Sequence, residues 1–158
     1  MKCIIKYVLD TVNQGLKMTL QKKENIMNIV AYSDSDLVGN KESRISVSGF
    51  ILLLNNAPIR WRSKAHHSVM LSSSEADYVA LSEAEKAVKF TFMLLKIMSL
   101  EVKLTINARV YNVGAIFMSE NVTTSNRTKH VETRYKFVNE FVEADLLKLF
   151  WLRPKTMW

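Results

Sequence analysis

A chain of 158 residues, 48% of them apolar, with only four glycines and two prolines, has the length and composition of one globular domain able to bury a core. Its single cysteine, Cys3, excludes an internal disulfide, and no apolar run approaches membrane-spanning length, so a soluble, intracellular (cytoplasmic or nuclear) protein without a membrane partner is expected. Lys and Arg number 22 against 15 Asp and Glu, a net charge of +7 that favours a polyanionic partner such as nucleic acid over an acidic-substrate site.

Along the chain, Ile4, Ile5, Val8, Leu9 and Val12 recur at helical spacing over residues 2 to 13, with Gly15 as a stop. This short helix and the polar stretch Gln21 to Asn25 read as the tail of a preceding unit. The segment Met27 to Asp36 reads as a strand that runs into Asp34 and Asp36, two acids on one face where the backbone leaves the sheet. Those acids either seat a metal ion or break the strand into a turn with Gly39 and Asn40. Ser46 to Leu54 and Pro58 to Lys64 read as two strands joined at Asn55-Asn56, a hairpin. Arg60, Arg62 and Lys64 alternate with Ile59, Trp61 and Ser63, so the three cations share a face. They either form a solvated surface or grip a phosphate backbone, and Trp61 is more readily a core residue than a base-stacking one.

The period then changes. Leu81, Ala84, Val88, Phe92 and Leu95 predict a helix over about 74 to 99, and Ser72 with Glu75 forms a capping box at its start. Asp77 lies on the apolar stripe, so its carboxylate points inward and needs a partner, either the helix N-terminus or a metal. Residues 104 to 111 alternate as a strand, Val113 to Ser119 reads as a short helix, and Glu120 to Thr128 as a loop. Val131, Tyr135, Val138 and Val142 mark another helix, and Leu146 to Leu152 a closing strand. Strands in succession followed by alternation predict an α/β (α+β) domain, a mixed sheet with helices against it.

The runs Tyr32-Ser33-Asp34-Ser35-Asp36, Ser46-Val47-Ser48-Gly49-Phe50, Ala57-Pro58-Ile59-Arg60-Trp61, Leu71 to Ala84 and Asn126-Arg127-Thr128-Lys129-His130-Val131 resemble, in order and spacing, the ribonuclease H region of copia-type retrotransposon polyproteins. The resemblance covers roughly residues 28 to 153, and the first 25 residues resemble the segment joining reverse transcriptase to that region. It implies a ribonuclease H-like three-layer fold with a five-stranded sheet over residues 26 to 158, and reverse transcriptase of the same polyprotein as a partner. It also implies cleavage of the RNA strand of RNA/DNA hybrids with two magnesium ions held by four carboxylates.

Matched acid by acid, Asp34 stands at the metal-bridging aspartate. Asp77 stands where the family has glutamate, its carboxylate about 1.5 Å further back, one C–C bond. Tyr111 stands at the third acid, followed by the matching Asn112, and a neutral phenol does not replace a magnesium-ligating carboxylate. The fourth aspartate has no counterpart before Trp158. Leu37 replaces a usual tryptophan, and Glu132 a usual aspartate. The resemblance therefore implies a degenerate, catalytically defective copy. Two alternatives stay open: a non-enzymatic nucleic-acid-binding remnant using Arg60, Arg62, Lys64, Arg127, Lys129 and His130, or a weak nuclease using Asp34 and Asp77.

Overall fold

The computed structural model describes residues 2–16, 26–37, 45–65, 70, 72–120 and 146–152. The expected helix and loop between residues 120 and 145, and with them Arg127, Lys129, His130 and Glu132, lie outside the described residues, as does the expected turn at Gly39-Asn40.

The N-terminal helix α1 spans Lys2–Asp10 and ends three residues before its predicted limit. Its apolar stripe is bare: Ile4, Ile5, Val8 and Leu9 are all exposed. The central strands follow as β1 (Ile26–Met27), β2 (Ile29–Asp36), β3 (Val47–Leu54) and β4 (Ala57–Ala65). β2 continues through both acids to Asp36, so the Ser-Asp-Ser-Asp run does not break it. The β3–β4 hairpin turns on Asn55 and Asn56, both at positive φ (49° and 67°). Two consecutive left-handed residues suit the right-handed twist of the flanking strands, and Asn tolerates that region better than most side chains. The Asn55 side chain also accepts a hydrogen bond from the Asn28 backbone N–H at 2.9 Å, tying the turn to the start of β2.

Helix α2 spans Ser73–Ile97 and starts as predicted: the Ser72 hydroxyl accepts the Glu75 backbone N–H at 3.1 Å. After it come β5 (Glu101–Val102), β6 (Ile106–Val110), α3 (Val113–Glu120) and β7 (Leu147–Trp151). The predicted strand over 104 to 111 is thus shorter. Ahead of it the two-residue β5 pairs with β1 in a separate parallel ladder. Two-residue strands carry no readable alternation.

The main sheet has five strands in the order β4-β3-β2-β6-β7. β2, β3 and β4 are antiparallel neighbours, whereas β6 lies parallel to β2 and β7 parallel to β6. Parallel neighbours need a crossover, and α2 supplies the one from the hairpin to β6. Ile29, Ala31 and Leu52 from the sheet meet Tyr78, Leu81, Val88 and Leu95 of α2, with Ile106, Ala108, Val110 and Leu147 completing the core. Glu85 intrudes on this core. It stands four residues after Leu81 and three before Val88, is 1% exposed, and neither carboxylate oxygen has a hydrogen-bond partner among the described residues. Burial pushes its pKa from 4.5 up to about 8.

Candidate functional site

The C-terminal end of β2 meets the N-terminal turns of α2 and α3, and this junction collects the chemistry-bearing side chains. Asp77, 6% exposed, is held at both oxygens. The Ser35 hydroxyl donates to Oδ1 at 2.6 Å, and the Asn112 amide donates to Oδ2 at 3.0 Å. The inward acid of the helical stripe therefore finds side-chain partners rather than helix N–H groups. Asn112 serves two elements, because its Oδ1 also accepts the Gly114 backbone N–H at 2.8 Å as the cap of α3. The Ser74 hydroxyl reaches the same Oδ1 at 3.4 Å. Gly114 is required by this crowding: a Cβ there would collide with Ser74 Oγ and come within 3.0 Å of Asn112 Oδ1 and 3.1 Å of Ser74 Cβ.

Asp34 is exposed on the neighbouring strand position. Its pKa is raised, first by burial of part of the carboxyl and then by the negative charges of Asp77 and Asp36, against a hydrogen bond from the Ser35 backbone that lowers it. Asp34 and Asp77 thus share one electrostatic environment. Replacing Asp77 by asparagine should therefore move the Asp34 titration to lower pH, read by carboxyl-carbon NMR; an unchanged midpoint would mean that the two carboxylates do not interact.

Tyr111, 42% exposed, follows the last residue of β6, and its backbone carbonyl accepts the Trp151 indole N–H at 2.9 Å. The cation row is placed differently from an open basic face. Arg60, Arg62 and Lys64 do share one side of β4, but it is the side that faces α2. Arg62 pairs with Glu83 at 3.3 Å, and the Arg60 guanidinium lies 5.3 Å from the centre of the Phe90 ring. These residues, with Phe50 and Lys86, line an open cleft of about 480 Å³ between β4 and α2. Lys64 ends the row without an ion-pair partner among the described residues. Trp61 corrects the expectation of a core residue: it projects from the opposite side of β4 and is 61% exposed. An edge strand buries only the side its neighbours cover, and alternation sends Trp61 the other way.

No protein-family model matches the chain. It is 32% identical over 151 residues, 94% of its length, to the Pol polyprotein of transposon RE1 from Arabidopsis thaliana. It is 32% identical over 120 residues, 75% of its length, to that of transposon TNT 1-94 from Nicotiana tabacum. Among solved structures, the ribonuclease LC11-RNase H1, crystallised with an RNA/DNA hybrid, superposes with a TM-score of 0.58 at 13% identity, covering 80% of this chain and 86% of that one. The chain is a copia-type Pol homologue with a ribonuclease H-like fold. It spans about a tenth of the length of the polyproteins it matches (10% and 9%).

In the ribonuclease H-like domain, the junction of β2, α2 and α3 is where magnesium would be sought. The donors do not fit it. Magnesium demands several hard oxygen ligands in a near-octahedral array, and although each Asp77 oxygen accepts one hydrogen bond and keeps a free lone pair, the described acids gathered at this junction are too few. Among the described residues no three His, Cys, Asp or Glu side chains come together to hold a metal ion. The sequence reading placed Asp77 and Asn112 but missed Ser35 and Ser74, whose hydroxyls carry no periodicity signal. Among the described residues, no helix is long and apolar enough to cross a membrane.

Proposed function

We propose that this domain derives from a retrotransposon ribonuclease H, retains nucleic-acid binding, and does not cut RNA/DNA hybrids. The reading is carried by the Asp77 carboxylate, satisfied by Ser35 and Asn112, together with Tyr111, a phenol where the resemblance calls for an acid. A buried carboxylate with two neutral donors is satisfied without a metal. Hybrid or other nucleic acid is then held through phosphate contacts from Arg60, Arg62, Lys64 and Lys86 at the α2 cleft, with Arg127, Lys129 and His130 adding to them. The bare apolar stripe of α1 supports contact with a reverse transcriptase segment of the same polyprotein, residues 1 to 25 being its tail and 26 to 158 the ribonuclease H-like domain.

A second reading has its own support. The negative charge of Asp77 acts on the Asp34 carboxyl, so the two acids lie within electrostatic reach, which favours a weak nuclease working through that pair. One experiment separates the two. The natural chain, Asp34→Asn and Tyr111→Asp are incubated with labelled RNA/DNA hybrid in magnesium or manganese. The expected result is no cleavage by the natural chain above the Asp34→Asn background. Cleavage that disappears in Asp34→Asn would establish the nuclease instead. Binding is read in the same preparations: neutralising Lys64 should weaken it uniformly across sequences and lower the salt slope by about 1.

A further inference from the structure

Glu83, Lys86, Ala87 and Phe90 stand at i, i+3, i+4 and i+7 of α2 and so share the side of the helix that lines the cleft against β4. Glu83 is the acid of that cleft, and its carboxylate is divided between two cations. Oε2 accepts from Arg62 of β4 at 3.3 Å, and Oε1 accepts from Lys86, almost one turn along the helix, at 2.8 Å. Arg60 is held otherwise, its guanidinium lying 5.3 Å from the centre of the Phe90 ring. A neutral ring leaves the charge of Arg60 in place, whereas the shared carboxylate cancels one of the two charges beside it. The walls of the cleft, from β3, β4 and α2, all belong to the described residues.

We propose that Glu83 is an internal competitor for phosphate, a tethered carboxylate that a nucleic-acid backbone must displace before Arg62 and Lys86 can grip it. This rests on the reading that phosphates are held at the α2 cleft. The geometry suits exchange. Arg62 reaches Glu83 through one terminal nitrogen at 3.3 Å, longer than the roughly 2.7–2.9 Å of a tight charge-assisted bond. A guanidinium has five N–H groups, so Arg62 has donors to spare for a phosphate. The Arg62, Lys86 and Glu83 side chains are 47%, 49% and 30% exposed, and ion pairs so open to water contribute little to folding. Glu83 can therefore swing toward solvent at little cost to the domain.

A competitor and a strut differ in sign. Were Glu83 only a tie between β4 and α2, removing its charge would loosen the cleft and weaken the hold on phosphate or leave it unchanged. Removing a competitor frees Arg62 and Lys86 and ends the repulsion between carboxylate and phosphate, so binding tightens. It also restores about one phosphate contact's share of counterion release, so the dependence on salt steepens.

The test is fluorescence anisotropy of a labelled RNA/DNA hybrid with the full chain over a series of salt concentrations, in chelator so that nothing is cut. Glu83→Gln should bind about fivefold more tightly than the natural chain at low salt, with a salt slope steeper by about 1 and an advantage that shrinks as salt rises. Arg62→Ala combined with Lys86→Ala should weaken binding, and adding Glu83→Gln to that pair should restore nothing. Glu101→Gln, the same change of net charge at an exposed position on β5, should leave affinity within about twofold. Thermal melts check that each variant is folded. If Glu83→Gln binds like the natural chain or worse while the Arg62 and Lys86 changes weaken binding, the cleft holds phosphate but Glu83 does not compete, and the proposal falls alone. A gain matched by Glu101→Gln, or persisting without Arg62 and Lys86, would reduce it to net charge. Binding indifferent to Arg62 and Lys86 would overturn the cleft reading and the competitor with it.

Discussion

Glu85→Gln should flatten the fall of stability with pH. In the folded domain the Glu85 carboxyl keeps its proton until its pKa of about 8, whereas in the unfolded chain it releases it near 4.5. Between those values the native state binds the extra proton, so unfolding stability declines as pH rises, by up to about 1.4 kcal/mol per unit. The contribution is complete below pH 4.5 and lost through pH 8, about 3 kcal/mol having gone by pH 7. Glutamine keeps the shape without the charge. Urea midpoints of the two proteins should therefore diverge steadily from pH 5 to pH 8, with glutamine the more stable at the upper end. Parallel curves would show that Glu85 ionises freely in the fold. Glu85→Leu should exceed both at neutral pH, because it also removes a buried polar group left without a partner.

Gly114→Ala produces the second large effect, and its sign is a contest between two terms. Alanine gains up to about 1 kcal/mol of helix propensity over glycine. Against this, the new methyl meets Ser74 and Asn112 at once, and overpacking of a tight contact costs about 1–3 kcal/mol. The Ser74 hydroxyl can rotate away, but Asn112 cannot move without releasing Asp77 and uncapping α3. The variant should thus be less stable, by a drop in the urea midpoint, and its Asp77 carboxylate less restrained. Pairing it with Ser74→Ala should recover part of the loss. If Gly114→Ala proved more stable than the natural chain, the close approach of α2 and α3 would be looser than described.

Much of this architecture was legible in the sequence, for reasons that differ by element. The hairpin was readable because Asn55-Asn56 separates two apolar runs, and α2 because Leu81, Val88 and Leu95 keep one period. The inward direction of Asp77 followed from that same period, whereas its partners did not, since Ser35 belongs to a different element 42 residues away. Glu85 escaped notice although its signal was present: Leu81, Glu85 and Val88 stand at the spacing of the buried stripe. Trp61 was misplaced because Ile59 and Trp61 alternate with the cations as a buried side would, and only the packing of α2 against the cations' side of the edge strand reverses that pattern.

The cations of β4 also bear on how copies of this domain behave toward one another. Among the described residues β4 is an edge of the sheet, nine residues long, with its outer backbone groups unpaired by any described strand. Such an edge recruits strands from other molecules unless something opposes it. Here Pro58 removes a donor near the start, a register shift beside Leu52 and Leu53 interrupts the ladder, and Arg60, Arg62 and Lys64 load the border with positive charge. Two such borders brought together repel. The same side chains that could hold a phosphate therefore guard an otherwise sticky margin, and high salt, by screening them, weakens the guard as it weakens the grip.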